Sequence, residues 1–141
     1  MATLFTRIID GELPGTFVWR DDRCVSFLSI NPVQRGHALV VPIAEVDHWI
    51  DLEPDLARHL VTVAQTIARA QQRAFEPTRV GLLIAGLEVP HTHLHLIPMA
   101  TEADLHLSNA AGSVPPEELE STAAELRAAL RGDGATGVSD I

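Results

Sequence analysis

Residues 54–75, PDLARHLVTVAQTIARAQQRAF, form the one long stretch of helical patterning in the chain. Leu56, Leu60, Val63, Ile67 and Ala74 recur on a single face, so this helix must lay an apolar stripe on a partner layer. Pro54 and Asp55 suit its first turn, where a missing N–H is harmless and a negative charge meets the dipole. The candidates for that partner layer are short. In TFVWRDD, Phe17 and Trp19 alternate with polar or smaller residues, giving a strand that turns at Asp21-Asp22. RCVSFLSI (23–30) reads as its hairpin partner. NPVQRG is a loop built on Asn31-Pro32 and Gly36. HALVVPI (37–43) is a third, mostly buried strand, RVGLLIAG (79–86) a fourth ended by Gly86, and the segment 89–99 a fifth.

A second helix is expected over 115–131, with Leu119, Ala123, Leu126 and Leu130 in register and Gly132 as terminator. The last residues, DGATGVSDI, read as a flexible tail over 133–141. Strands joined by hairpin-length connections, then a helix, then strands and a helix, favour α+β with an antiparallel sheet over a doubly wound parallel one. A single domain over 1–132 is expected.

Charge narrows the partners. Nineteen acidic residues outnumber ten basic ones, the net charge is −9, and every basic residue is an arginine. The arginines are scattered, so no basic stripe for long nucleic acid exists. A small phosphorylated molecule stays compatible, because one local pocket can be positive in an acidic protein. No apolar run reaches the roughly 20 residues of a membrane span. The N-terminal stretch lacks the apolar core of a secretory signal, and the single cysteine, Cys24, excludes an internal disulfide and a multi-cysteine zinc site. A reducing, cytoplasmic setting is the expectation. Cys24 reads as a small strand filler, and His48, His59 and His106 as surface histidines.

The chemistry concentrates in VPHTHLHLIPM, residues 89–99. On a strand, residues two apart share a face, so His91, His93 and His95 line one side while Thr92, Leu94 and Leu96 line the other. Three aligned imidazoles are costly to bury without a purpose. A common metal is hard to reach: at ~3.3 Å per residue the outer two stand about 13 Å apart, against zinc bonds near ~2 Å. Nucleophilic chemistry fits better. A neutral imidazole can attack phosphorus when one nitrogen keeps its proton and the other offers a lone pair, with neighbours holding the transferred group.

These residues carry a resemblance. HTHLHLIP matches the His-x-His-x-His-x-x pattern of the histidine triad (HIT) family of nucleotide hydrolases and transferases. SFLSINPVQRGHALVVP is similar to the family's second block, and LFTRIIDGELPGTFVWRDD to its opening, so the likeness spans residues 4–98. It implies a HIT-like fold: a five-stranded antiparallel sheet with one long central helix and a C-terminal helix, paired into a homodimer. It also implies roles. His93 would attack the α-phosphate of a nucleotide, the His91 carbonyl would hold the proton on its far nitrogen, His95 would contact phosphate, and His37 would support the triad from behind. A nucleotidyl-histidine forms and is then hydrolysed. Histidine rather than glutamine at position 95 favours hydrolysis over transfer. The ligand so implied is a purine nucleotide or a similar small molecule, with no cofactor and no metal.

The same resemblance assigns nucleotide binding to Phe5, Ile8, Phe27, Ser29, Asn31 and Glu88. Ser29 stands where relatives often carry an acid or amide for the ribose hydroxyls, and Asn31 is the nearby substitute. Leu87 and Glu88 replace a glutamine and a serine that assist the leaving group, and Thr3 and Thr6 replace the zinc-binding cysteines of some bacterial relatives. A nucleotide-binding protein with little catalysis is the alternative these changes raise. At the dimer interface, the helix at 54–75 and the fourth strand are expected.

Overall fold

The computed structural model describes residues 1–141. Five strands form one antiparallel sheet: β1 (Phe17–Arg20), β2 (Cys24–Leu28), β3 (Ala38–Pro42), β4 (Arg79–Leu83) and β5 (Leu94–Met99), in the order β1-β2-β3-β5-β4. Three helices accompany it: α1 (Leu4–Ile9), α2 (Pro54–Phe75) and α3 (Pro116–Gly132). This is the expected α+β architecture. The long helix has the bounds its periodicity set. Glu53 caps it, accepting the N–H of Leu56 at 3.1 Å, with Pro54 directly after. The second expected helix shifts by one residue: α3 runs through Gly132 to an Asp133 cap, and the chain turns at Gly134, where φ is +79°.

The two faces of the sheet have different partners. Val18, Cys24, Leu28, Val40, Leu94 and Leu96 pack against Leu60, Val63 and Ile67 of α2 and Leu119, Leu126 and Leu130 of α3. On the other face Phe17, Val25, Phe27, Leu39 and Val41 enclose Phe5 and Ile9 of α1. Each buried large aliphatic side chain contributes roughly 1.5–3 kcal/mol, so the first layer carries most of the stability.

Three expectations change. Phe17 and Trp19 do not share a face: a register shift between them places Phe17 with α1 and Trp19 with Val18 on the helix side. A bulge of this kind breaks the period of two on which the alternation rested. Helix α1 was not expected, since six residues are too few for a periodic stripe; it is set by its cap, Thr3, whose hydroxyl accepts the N–H of Thr6. Residues 133–141 are not loose. Arg20 donates its N–H to Gly137 O at 2.9 Å, Ser139 donates to Val18 O at 3.2 Å, and Val138 bridges to Trp19, covering the edge of β1. A Cβ at Gly137 would sit 2.4 Å from the Trp19 ring, so only glycine allows this approach. No helix is long and apolar enough to cross a membrane.

Candidate active site

The histidine segment enters the sheet late. Strand β5 begins at Leu94, so His91 and His93 precede it and only His95 belongs to it. Their alternation survives because Thr92 is pinned from behind. Its N–H and its hydroxyl both donate to Val46 O, at 2.7 Å each. Just upstream, Gly86 turns the chain at φ +76°, and His91 donates its N–H to Val89 O at 2.8 Å across Pro90. The three imidazoles therefore face α1, while Leu94 and Leu96 of the same segment face α2. His95 stands opposite Leu39 of β3, and His37, two residues before Leu39, directly precedes that strand on the same face.

Hydrogen bonds fix the tautomers, starting from backbone groups whose role is not negotiable. Val33 N–H donates to His37 Nδ1 at 3.1 Å. The proton of His37 must then lie on Nε2, which donates to His95 Nδ1 at 2.9 Å. His95 in turn carries its proton on Nε2, and that N–H is buried with no protein partner. His93 is set from the other side: its Nδ1–H donates to His91 O at 2.7 Å, leaving the Nε2 lone pair without a protein hydrogen bond. His91 donates Nε2–H to Pro42 O at 2.7 Å and accepts from the Thr3 hydroxyl on Nδ1, also at 2.7 Å. The result is a lone pair on His93 beside a donor on His95, with ring centres 4.9 Å apart.

Burial favours the neutral form of His37, His93 and His95. It pushes His37 down to about 4 and His95 down to about 3, with the neighbouring His93 adding to both shifts. His93 is also lowered by burial, against which its bond to the His91 carbonyl and the charge of Glu88 pull upward. At neutral pH the site presents uncharged imidazoles, one nucleophilic and one hydrogen-bond-donating.

The other expected site residues divide. Phe5 meets His93 edge-on at 4.8 Å between ring centres and Phe27 at 5.6 Å, so Phe5 is a buried wall beside His93 and Phe27 backs it. Ile8 is half-buried against the same cluster. Ser29 and Asn31 open the loop that ends at His37: Ser29 N–H donates to His37 O at 3.0 Å. Their side chains, however, turn to local partners, Ser29 Oγ accepting from Asn31 N–H and Asn31 donating to Ala111 O. No hydrogen bond joins either side chain to the histidines. Ser29 lines a hollow of about 230 Å³ with Arg35, His37 and Glu118, between this loop and α3. Glu88 and Leu87 are exposed on the approach to His91.

Some contributors escape a reading by motif. Gln71 of α2 is fully buried and donates to Gly36 O at 2.9 Å and Leu96 O at 3.1 Å, the carbonyls next to His37 and His95. It sits four residues after Ile67, a polar residue on an apolar stripe, and that position is the signal by which it can be found. Thr3 and Thr92 hold the triad from α1 and from the far face.

With this geometry in view, the HIT domain family matches residues 10–102. The chain belongs to the HIT family. The protein named hit of Bacillus subtilis is 33% identical over 106 residues, covering 72% of this chain and 73% of its own length. The adenylylsulfatase HINT3 of Arabidopsis thaliana is 30% identical over 100 residues, 67% of this chain and 51% of that protein. A zinc-bound histidine triad family protein of Mycobacterium smegmatis superposes with a TM-score of 0.81 at 27% identity, covering 95% of this chain and 96% of that one. In this HIT protein the two positions compared with zinc-binding cysteines, Thr3 and Thr6, do not fit zinc. Neutral hydroxyls are weak ligands for it, and Thr3 Oγ already closes on His91 Nδ1. A hydrogen-bonded clasp stands there, extended by Thr3 N–H to Glu45 Oε1 at 2.8 Å.

Proposed function

We propose that this HIT protein hydrolyses a nucleotide at its α-phosphate, through a nucleotidyl intermediate on His93. The supporting observation is the tautomer pair: a lone pair on His93 Nε2 held by the His91 carbonyl, beside an unpaired N–H on His95. The Nε2 lone pair forms a bond to phosphorus while the bond from phosphorus to the leaving group breaks, its electron pair departing with that group. His95 Nε2–H donates to a phosphoryl oxygen as charge accumulates there. Water then attacks phosphorus, the N–P bond returns its pair to His93, and a nucleoside monophosphate leaves with the water oxygen. Preferred substrates are purine nucleoside phosphoramidates or dinucleoside polyphosphates; the adenylylsulfatase relative adds an adenylyl sulfate to the range worth testing.

A second reading has its own observation. Leu87 and Glu88 stand exposed where leaving-group assistance is expected, which suits a nucleotide-binding protein with little turnover. Turnover of phosphoramidates, diadenosine polyphosphates and adenylyl sulfate, measured beside nucleoside monophosphate binding, separates the two. Hydrolysis of at least one substrate supports the enzyme; tight binding with no turnover of any selects the alternative. We further propose a cytoplasmic homodimer. The outer edge of β4 is unpaired, and Leu82 on it and Val61 on α2 are exposed. A monomeric mass at micromolar concentration removes the dimer.

A further inference from the structure

We propose that Asp21, Cys24 and His59 form a second site, which takes one divalent cation of the zinc class. The three residues come from three elements: the turn after β1, the first position of β2 and the second turn of α2. Their donor atoms all lie within 4.8 Å of one another. Asp21 Oδ2 is 2.8 Å from His59 Nε2 and 3.6 Å from Cys24 Sγ. Tetrahedral bonds of ~2.0–2.3 Å put donor atoms about 3.3–3.8 Å apart, so a small rotation of His59 is enough to admit an ion. Carboxylate, thiolate and imidazole are the donor types zinc prefers, and one carboxylate with one thiolate balances its charge.

The surroundings resemble the outer support a ligating carboxylate needs. Asp21 Oδ1 accepts the N–H groups of Arg23 at 2.8 Å and Cys24 at 2.9 Å, and Oδ2 accepts Trp19 Nε1–H at 2.9 Å. Cys24 is fully buried, whereas the His59 and Asp21 side chains keep 27% and 21% of their surface. One side of the cluster is therefore open to a water as fourth ligand. The site lies on the α2 face of the sheet, opposite the histidine triad, so it is independent of the hydrolysis proposed above. Its effect would be structural: an ion there ties the β1–β2 turn to α2. Binding releases the thiol proton to solvent as the sulfur bonds the metal. One expectation changes: His59 is half-buried and bonded rather than free on the surface, whereas Cys24 is a buried core residue of β2 as expected.

The competing state is a hydrogen-bonded turn lock with no affinity for metal. Cobalt(II) titration of the chelator-stripped full chain distinguishes them. Because Cys24 is the single cysteine, a thiolate-to-cobalt charge-transfer band in the near ultraviolet reports this site alone. The band is expected to saturate at one cobalt per chain and to vanish in Cys24→Ser. His59→Gln, which keeps a donor for Asp21, is expected to weaken binding by at least about tenfold with an unchanged circular dichroism spectrum. Zinc is expected to raise the melting temperature of the native chain and not of Cys24→Ser. No thiolate band in the native chain, or equal affinity in His59→Gln, overturns the proposal.

Discussion

The two faces of the sheet obey opposite rules, although the same strands supply both. On the α2 side, Leu94 and Leu96 meet Leu60, Ile67 and Leu126, and shape and apolar area suffice. On the α1 side, His95 and the preceding His91 and His93 are buried just as deeply, and each is retained because a specific polar group meets it. One face is tolerant of composition and intolerant of lost volume. The other is tolerant of little, because a buried imidazole without its partner loses both stability and the correct tautomer. Gln71 links the two, reaching from the apolar layer to the carbonyls flanking His37 and His95.

The sharpest way to break this contrast is to cut one residue from each face. His93→Ala is expected to lower turnover by several orders of magnitude while the unfolding midpoint stays near native, because no other imidazole of the cluster offers a lone pair without a protein hydrogen bond. Leu96→Ala is expected to do the reverse, costing about 2–5 kcal/mol of stability with chemistry retained in the folded fraction. Denaturant titration beside single-turnover kinetics checks both. Near-normal activity in His93→Ala would remove the mechanism, and an equal loss of stability in both variants would remove the distinction between the faces.

Next in size is the residue that joins them. Gln71→Leu keeps the volume but removes the amide donor from Gly36 O and Leu96 O. A displaced His37–His95 pair is expected to reduce kcat by roughly tenfold to a hundredfold. The imidazole ¹⁵N shifts of His37 and His95 should move and those of His91 should not. A fall in melting temperature with unchanged ring shifts would make Gln71 purely structural.

From pH 7 down to pH 4, acid should act first on the histidine face. Unfolded histidines take up protons near the ordinary value of 6.5, whereas folded His37 and His95 wait until about 4 and about 3. The unfolded state thus holds more protons throughout that interval, and stability is whole above 6.5 and lost as pH falls through it. Denaturant midpoints measured from pH 7 down to pH 4 check this, and His37→Phe should flatten part of the slope. A native profile with no slope over that range contradicts the burial of neutral imidazoles.

The smallest effect concerns the ribose. Ser29 can make one strong hydrogen bond at a time, so ribonucleotides and deoxyribonucleotides should bind with little difference. Ser29→Asp is expected to tighten ribonucleotide binding by about 1.5–3 kcal/mol and leave the deoxy form alone. Calorimetry with both nucleotides decides it; a strong native preference for ribose would hand the contact to Asn31 or to a backbone group.

Legibility in the sequence followed the same division. Helix α2 was readable to its ends because the stripe Leu56, Leu60, Val63, Ile67 and Ala74 runs over about five turns and Pro54 marks the start. The triad was readable because His91, His93 and His95 keep a period of two, even though β5 begins only at Leu94. What stayed hidden depends on contacts far apart in the chain. Thr3 finds His91 across 88 positions, and Arg20 finds Gly137 at the other end. The bulge between Phe17 and Trp19 is a local irregularity that no alternation announces.

The central claim is that His93 Nε2 carries the nucleotidyl group, and acid-free intact-protein mass spectrometry of the rapidly quenched reaction tests it most directly. With a turned-over phosphoramidate or dinucleotide, the native chain should gain the mass of one nucleotidyl group, mapped to the peptide containing His93 and lost on mild acid. Absence of any adduct during active turnover, or an adduct on another residue, would contradict it.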